Sequence, residues 1–406
     1  MANIQGGTNY AGAGATTLSA LIPIIYEARD KVAREPIGLI HAATRDASES
    51  QAAVGQTVRS PVTQAATLTA ITPSNVVPNT GGQTLLYKDL VIADSWAAPV
   101  QWTGEEQRAV GDNYEVIARD QFSQAFRVLD NKIEASLVNT MVAGCSRAYG
   151  NVLVSPFTYV ANSNSSMLPF AELNLILDNN GTPDGNRALI LGNRAMANVR
   201  AMPNLYKANE AGTDELLRLG AVMEVDGFKF YKSGQLDKNG HTAGTGTGYV
   251  TDGTGAASGS VYQAGETAIK VKTGANVISA GDTVTFAGDT NVYVVASGVT
   301  AAGQTLTLAA PGLQQSAADS VAITVGASYS PNIAFDPTAL ILASRAPIMP
   351  VGGDAATDVA MVLDAISGIS YQIAQYKVYR QVHFEVGQAW GSLANKPEFA
   401  AMLIGN

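Results

Sequence analysis

The chain has a single cysteine, Cys145, among its 406 residues. That excludes an intrachain disulfide framework and a cysteine-based zinc site, and it fits assembly in the cytosol. Charge is scarce as well: 15% of the residues are Asp, Glu, Lys or Arg, against about 25% in an ordinary soluble protein. Much of the surface must then be Ala, Thr, Ser, Gly and Asn. Such a surface suits a subunit covered by neighbours, because the cores of protein interfaces are depleted of charge. Positive charge is the scarcer sign. With 25 Lys and Arg against 34 Asp and Glu, a net charge of −9 argues against a protein whose main task is to grip nucleic acid. Loose proximity to nucleic acid stays open. Long hydrophobic runs are missing too: "LSALIPIIY", Leu18 to Tyr26, carries Pro23 and falls far short of the ~20 residues that span a bilayer. The opening "MANIQGGTNYAGAGATTL" has neither the basic start nor the apolar core of a signal peptide. These features predict a soluble chain with no membrane partner.

Catalytic groups are equally thin. The three histidines, His41, His241 and His383, stand in unrelated contexts, with no HExxH and no pair at ligand spacing. His383 alternates with Val382 and Phe384 and reads as a solvated or core-edge strand residue. The glycine run Gly244 to Gly259 lacks the Gly-Lys-Ser/Thr and the helix start of a phosphate loop, so it reads as a flexible linker. "DKNG" (Asp237 to Gly240) and "DNNGTPDGN" (Asp178 to Asn186) resemble calcium loops but lack the downstream acid, and ordinary turns account for them. Cys145 reads as a small hydrophobe that packs or caps a helix. The expectation is no enzyme: no catalytic residue, no metal and no cofactor.

What is present is an order of elements. After a Gly, Ala and Asn-rich tip, Thr17 to Arg34 is amphipathic, with Glu27, Arg29, Asp30 and Lys31 on its polar side, and it needs a partner surface within the chain or on a neighbouring subunit. Gln56 to Gly104 reads as a β-hairpin arm with a loose tip, its return flanked by Trp96 and Trp102. Asp112 to Val142 is the clearest element: Ile117, Phe122, Phe126, Leu129, Ile133, Leu137 and Met141 recur at helical steps without Gly or Pro. Asp112 or Asn113 can cap its start and Gly144 lies just past its end. A helix at Phe170 to Asn179, a strand at Arg187 to Gly192, a helix from Asn193 to Met202 and a hairpin turning at Asp226-Gly227 follow. From Leu236 the composition turns to Gly, Thr, Ser and Ala. Five short alternating runs, "AIKVK", "DTVTFAG", "NVYVVASGV", "QTLTLAAPG" and "SVAITVG", then predict a small β-barrel or sandwich inserted up to Ser330. The end, "GISYQIAQYKVYRQVHFEVGQAWG", predicts an antiparallel pair. Between Val261 and Gly326 stand two lysines, Lys270 and Lys272, no arginine and four acids. That balance opposes oligonucleotide binding by the insertion.

This order resembles the major capsid protein of tailed double-stranded DNA bacteriophages, the HK97 fold. "ISAGDTVTFAG" and "VDGFKFYKSGQL" are similar to the insertion-domain turn and the preceding hairpin of coat proteins from short-tailed phages of the Salmonella type. The resemblance implies an α+β fold with an N-terminal arm (1–55), an extended loop (56–104), a spine helix and peripheral domain (105–150), an axial domain (151–235), an inserted β-barrel (236–330) and a return through the axial and peripheral domains (331–406). It implies a virion shell of hexamers and pentamers assembled in the host cytoplasm, a portal, and packaged DNA held only by non-specific proximity. No stretch looks like a cleaved scaffolding segment, so a separate scaffolding protein is expected. Lys88 is the one lysine in the loop, where some relatives crosslink, and reads here as an ordinary surface or salt-bridging lysine. Candidate inter-subunit contacts are Leu18, Leu21, Ile25, Lys88, Trp96 and Trp102. The rival reading is a secreted or cell-surface adhesin-like β-rich protein, which predicts a secretion signal and several similar β-repeats.

Overall fold

The computed structural model describes residues 32–63, 71, 73, 86–111, 114–158, 167–202, 224–257 and 259–405. The arm up to Lys31, the hairpin tip around Thr80 and the expected caps Asp112 and Asn113 lie outside the described residues. The first described element is helix α1 (Gly38–Ala42), where Leu39 and Ile40 are fully buried. Strand β1 (Thr44–Ala52) follows, then the hairpin flanks β2 (Thr57–Val62) and β3 (Leu86–Val91), paired from Thr57↔Val91 to Val62↔Leu86. The hairpin's return continues as β4 (Asp94–Thr103), which leaves β2 and joins a different sheet. Thr103 and Glu106 then close a reciprocal capping box that starts α2 (Gly104–Val110).

Helix α3 (Tyr114–Gly144) has 31 residues, about 46 Å of helix. Of its expected apolar stripe, Phe126, Leu129, Ile133, Leu137 and Met141 are buried, while Ile117 and Phe122 are half-buried. Gly144 is its last residue and does not lie beyond it: a Cβ there would come 2.4 Å from that of Ala394. Next come β5 (Arg147–Gly150), α4 (Leu168–Asn179), β6 (Arg187–Leu191), α5 (Asn193–Arg200), β7 (Glu224–Val225), β8 (Phe228–Lys232) and α6 (Gly234–Lys238). The β7–β8 turn takes positive φ at both Asp226 (54°) and Gly227 (78°), the twist that suits a two-residue hairpin.

The remaining strands are β9 (Val250–Thr251), β10 (Ala268–Lys272), β11 (Thr283–Phe286), β12 (Val292–Ser297), β13 (Thr305–Leu308), β14 (Ile323–Val325), β15 (Ser330–Phe335), β16 (Leu340–Pro347), β17 (Ala356–Leu363), β18 (Ser370–Val378), β19 (Gln381–Ala394) and β20 (Ala400–Gly405). The long β19 organises one sheet: β4 runs along one edge, and β18 then β16 share the other. Outside these, β1 joins β16 in parallel and β17 joins β18. The second sheet runs β7-β8-β6-β15-β20-β5 and continues through β5–β12 into the β-module. Helix α3 packs on β4, β19 and β12, and so ties the two sheets together.

The module closes on itself. Strands β9, β10, β13, β12, β11 and β14 pair in succession, and a Val250↔Ala322 bridge returns β9 to the approach of β14. Its core includes Tyr249, Tyr262, Ile269, Val284, Phe286, Tyr293 and Leu306. Two expectations need correction here. The Gly, Thr and Ser stretch read as a flexible linker supplies the closing strand, with Tyr249 and Thr251 buried. Its glycines admit close packing: a Cβ on Gly244 would lie 2.3 Å from the Val277 carbonyl oxygen, and one on Gly255 2.5 Å from Lys270 Cβ. The second concerns the alternating runs, because β12 pairs with β5 of the body through Val292↔Ala148 and Tyr293↔Arg147. Strand β12 therefore departs from simple alternation: Tyr293 and Val295 fill the barrel while Val294 enters the main core. The module's two ends meet at the bridge His241↔Tyr329.

Candidate assembly surfaces

Of the sequence-predicted contact residues, Leu18, Leu21 and Ile25 lie outside the described residues. Lys88 Nζ donates to the carbonyl of Asn395 and so anchors the hairpin to the end of β19. Trp96 is 51% exposed; its Nε1–H donates to Asp94 at 3.2 Å, and Lys132 Nζ sits 4.8 Å from its ring centroid. Trp102 requires a correction, being only 6% exposed. Its ring meets Tyr114 edge-on at 5.1 Å, and its Nε1–H donates to Gln121 at 2.7 Å. A side chain so enclosed belongs to the subunit's own core. The structure thus does not bring the predicted residues together: Lys88 and Trp102 serve internal contacts and Trp96 faces outward.

A polar cluster that sequence reasoning missed sits where the arm meets α3. Arg34 Nη1 donates to Asp364 Oδ2 at 2.7 Å and to Asp130 Oδ2 at 3.3 Å, and its Nη2 donates to the Ser123 carbonyl at 3.5 Å. Glu35 accepts a two-pronged bond from Arg127, Nε at 2.6 Å and Nη2 at 2.7 Å, plus Asn131 Nδ2 at 2.9 Å. Charge-assisted bidentate pairs of this kind are strong and directional. Arg127 first, and Asn131 next, hold the Glu35 carboxyl well below the usual range. Asp130 accepts from the Tyr371 hydroxyl at 2.5 Å, yet its burial prevails and pushes its pKa up to about 6. One turn on, Glu134 accepts from the backbone N–H groups of Leu39 at 2.8 Å and Ile40 at 2.9 Å, seating α1 on the helix. Burial raises its pKa as well. The available signal was two carboxylates four apart inside the apolar stripe of Phe126, Leu129, Ile133 and Leu137, since unpaired acids are almost never fully buried.

Apolar surface is exposed on two edges. Among the described residues β17 pairs with β18 alone, leaving its outer edge unpaired, and Met361 and Leu363 are 49% and 64% exposed. On the hairpin, Leu86, Tyr87 and Val91 are exposed, with Arg59 stacked 4.3 Å over the Tyr87 ring. An unpaired, apolar strand edge is a template for another chain. In the module, by contrast, the lysines of β10 are engaged: Lys270 with Asp252 at 3.1 Å and Lys272 with Asp319 at 2.6 Å. The loops with calcium-site flavour have structural partners. Asp237 accepts from the N–H groups of Asn193 at 2.7 Å and Arg194 at 3.3 Å, and Asp178 and Asp184 pair with Arg187 at 2.6 and 2.8 Å. His383 is half-buried on β19, and Cys145 is buried just past α3 with its thiol pKa pushed up by burial.

No protein-family model and no curated protein matches the chain. Solved structures do. The capsid structure of the cyanophage P-SCSP1u aligns over 100% of this chain and 98% of its own, at 13% identity and a TM-score of 0.50. The fold is the HK97-like capsid fold. Further likenesses are to a structure from Mycobacterium phage Che8, at 11% identity, TM-score 0.45 and coverage of 86% and 84%, and to the bacteriophage PhiM1 mature capsid, at 10% identity, TM-score 0.47 and coverage of 94% and 90%.

Proposed function

We propose that this protein is the major capsid subunit of a tailed bacteriophage, self-assembling into the icosahedral head shell around packaged double-stranded DNA. The observation that carries this reading is the HK97-like fold spanning the whole chain, end to end with the cyanophage capsid structure at 100% and 98% coverage. The physical features agree. A paving subunit spreads its stability over interfaces, and here a hairpin flank (Leu86, Tyr87 and Val91) and an edge strand (Met361 and Leu363) are among the places that expose apolar side chains. In this reading the subunit is non-enzymatic, resides in the virion after assembly in the host cytoplasm, forms hexamers and pentamers, and works with a separate scaffolding protein and a portal. Residues 236–330 form the inserted domain, with a structural role in stabilising or bridging subunits. DNA inside is a neighbour without specific contacts, consistent with the net charge of −9.

The test is assembly. Expressed alone and with its genomic neighbours that encode scaffolding candidates, the protein should yield shells, or hexamers and pentamers, by negative-stain microscopy and sedimentation velocity. A subunit that stays monomeric at every concentration and with every scaffold overturns the proposal.

A further inference from the structure

Helix α4 leaves one stripe uncovered. Phe170, Leu173, Ile176 and Leu177 enter the core over the second sheet, whereas Leu168, Ala171, Leu175 and Asp178, at steps of three and four, form the opposite face and are exposed. Leu168 and Leu175 are 47% and 51% exposed. The stripe leads into an open pocket of about 470 Å³ bounded by α4, the approach to β6 and the β7–β8 turn. Three carboxylates line that pocket, Asp178, Asp184 and Asp226, against one guanidinium. That guanidinium, Arg187, is buried and is spent on Asp178, Asp184 and the Thr182 carbonyl. The surface beside the apolar stripe is therefore negative.

Helix α5 carries the complement. Its Ala195, Met196 and Val199 are buried in the same core, while Arg194, Ala197 and Arg200 are exposed. The two faces match in spacing as well as in sign: Glu172 and Asp178 each lie three residues from Leu175, and Arg194 and Arg200 each lie three residues from Ala197. On both helices the flanking charges are thus about 9 Å apart along the axis, with an apolar residue midway. The residue midway on α5 is an alanine, small enough to receive a leucine. Both helices pack on one side of the second sheet, over Leu189, Ala334, Ala401 and Leu403. They cover different strands, α4 lying against β20 and β5 and α5 against β6. Each face is exposed within its own subunit, so a contact between them joins two copies head to tail. Contacts of that heterologous kind generate rings when the rotation closes.

We propose that the outer face of α4 docks on the outer face of α5 in a second copy of this chain, with Leu175 over Ala197, one arginine at the carboxylates of the pocket and the other at Glu172. The contact presupposes the shell subunit proposed above and names one pair of surfaces through which its neighbours meet. Charge selects this occupant. Two α4 faces set against each other would bring carboxylates to carboxylates, whereas α5 offers the opposite sign at the matching interval.

Cysteine pairing between copies tests this in the full-length protein, because the native Cys145 is buried and does not compete. Assembled subunits carrying both Leu175→Cys and Ala197→Cys should, on mild oxidation, run as a ladder of disulfide-linked oligomers on a non-reducing gel, while each single variant stays monomeric. Dimers from Leu175→Cys alone would show that two α4 faces meet and would overturn the proposal, as would a disulfide closed within one chain. Shells or rings seen by microscopy without a ladder overturn this contact and leave the shell reading standing. Protein that never assembles, with or without a scaffold, overturns both. An independent readout changes only the exposed charges of α5. Adding Arg194→Glu and Arg200→Glu to the cysteine pair should keep the circular dichroism of the subunit and lower the ladder's yield about tenfold, since like charges then oppose each other. An unchanged yield overturns the proposal.

Discussion

Asp130 and Glu35 sit on either side of Arg34's anchorage and respond to pH in opposite directions. Burial leads in raising Asp130 from 3.8 to about 6, so the folded subunit holds a proton that the unfolded chain releases. Its contribution to stability is complete below about pH 4 and is lost as pH rises through about 6. Glu35, held low chiefly by Arg127, contributes above the ordinary carboxylate range and loses that contribution as pH falls below it. Asp130→Asn keeps an acceptor for the Tyr371 hydroxyl and removes the titration. Between pH 4 and 7 the variant should gain on the wild type by on the order of 3 kcal/mol, read from urea midpoints of the soluble subunit. Parallel curves for the two proteins across that window would rule out this assignment. The carboxylate's position in the stripe was legible in the sequence; its partners, Arg34 and Tyr371, come from 96 and 241 residues away and were not.

At the scale of elements, legibility follows locality. Helix α3 announces itself because every residue of its buried face lies three or four positions from the next. Phe126 is on that face and stacks on Tyr371 with centroids 5.1 Å apart. Phe126→Ala should therefore cost about 3 kcal/mol in urea unfolding, and a loss below about 1 kcal/mol would show the ring to be dispensable to the core. Strand β12 shows the opposite case. Its alternation predicts one buried face, but a second layer covers the other, so three consecutive residues, Tyr293 to Val295, are buried. The Gly-rich stretch before β10 fails for a related reason: composition does not distinguish a glycine that leaves the chain free from one demanded by a carbonyl 2.3 Å from where Cβ would be.

For the whole molecule, the question is whether the β-module is a passenger or a strut. Its own core and the closed circuit of six strands favour autonomous folding, and its ends meet at His241 and Tyr329. Strand β12 and Val294, however, lend it to the body. Residues 240–330 expressed alone should unfold in a single cooperative thermal transition, at a lower temperature than the module within the full chain, by circular dichroism and by hydrogen exchange of β12. A fragment that melts without cooperativity would make the module an extension of the body's sheet and end its description as a domain.

The sequence by itself determined the elements and their order: the hairpin arm, the spine helix, the α/β stretch, the run of short strands and the closing β-pair. It also determined the low charge and the scarcity of reactive groups. These are properties of neighbouring residues and of composition, which hydrophobic periodicity and turn chemistry express directly. Tertiary structure decided which exposed strand edge remains, that Trp102 is core while Trp96 is surface, that a Gly-rich stretch closes a barrel, and that Arg34 and Glu35 fasten the arm to α3. Each of these depends on groups far apart in sequence, where burial and pairing are set by the final packing and local pattern carries no information about the partner.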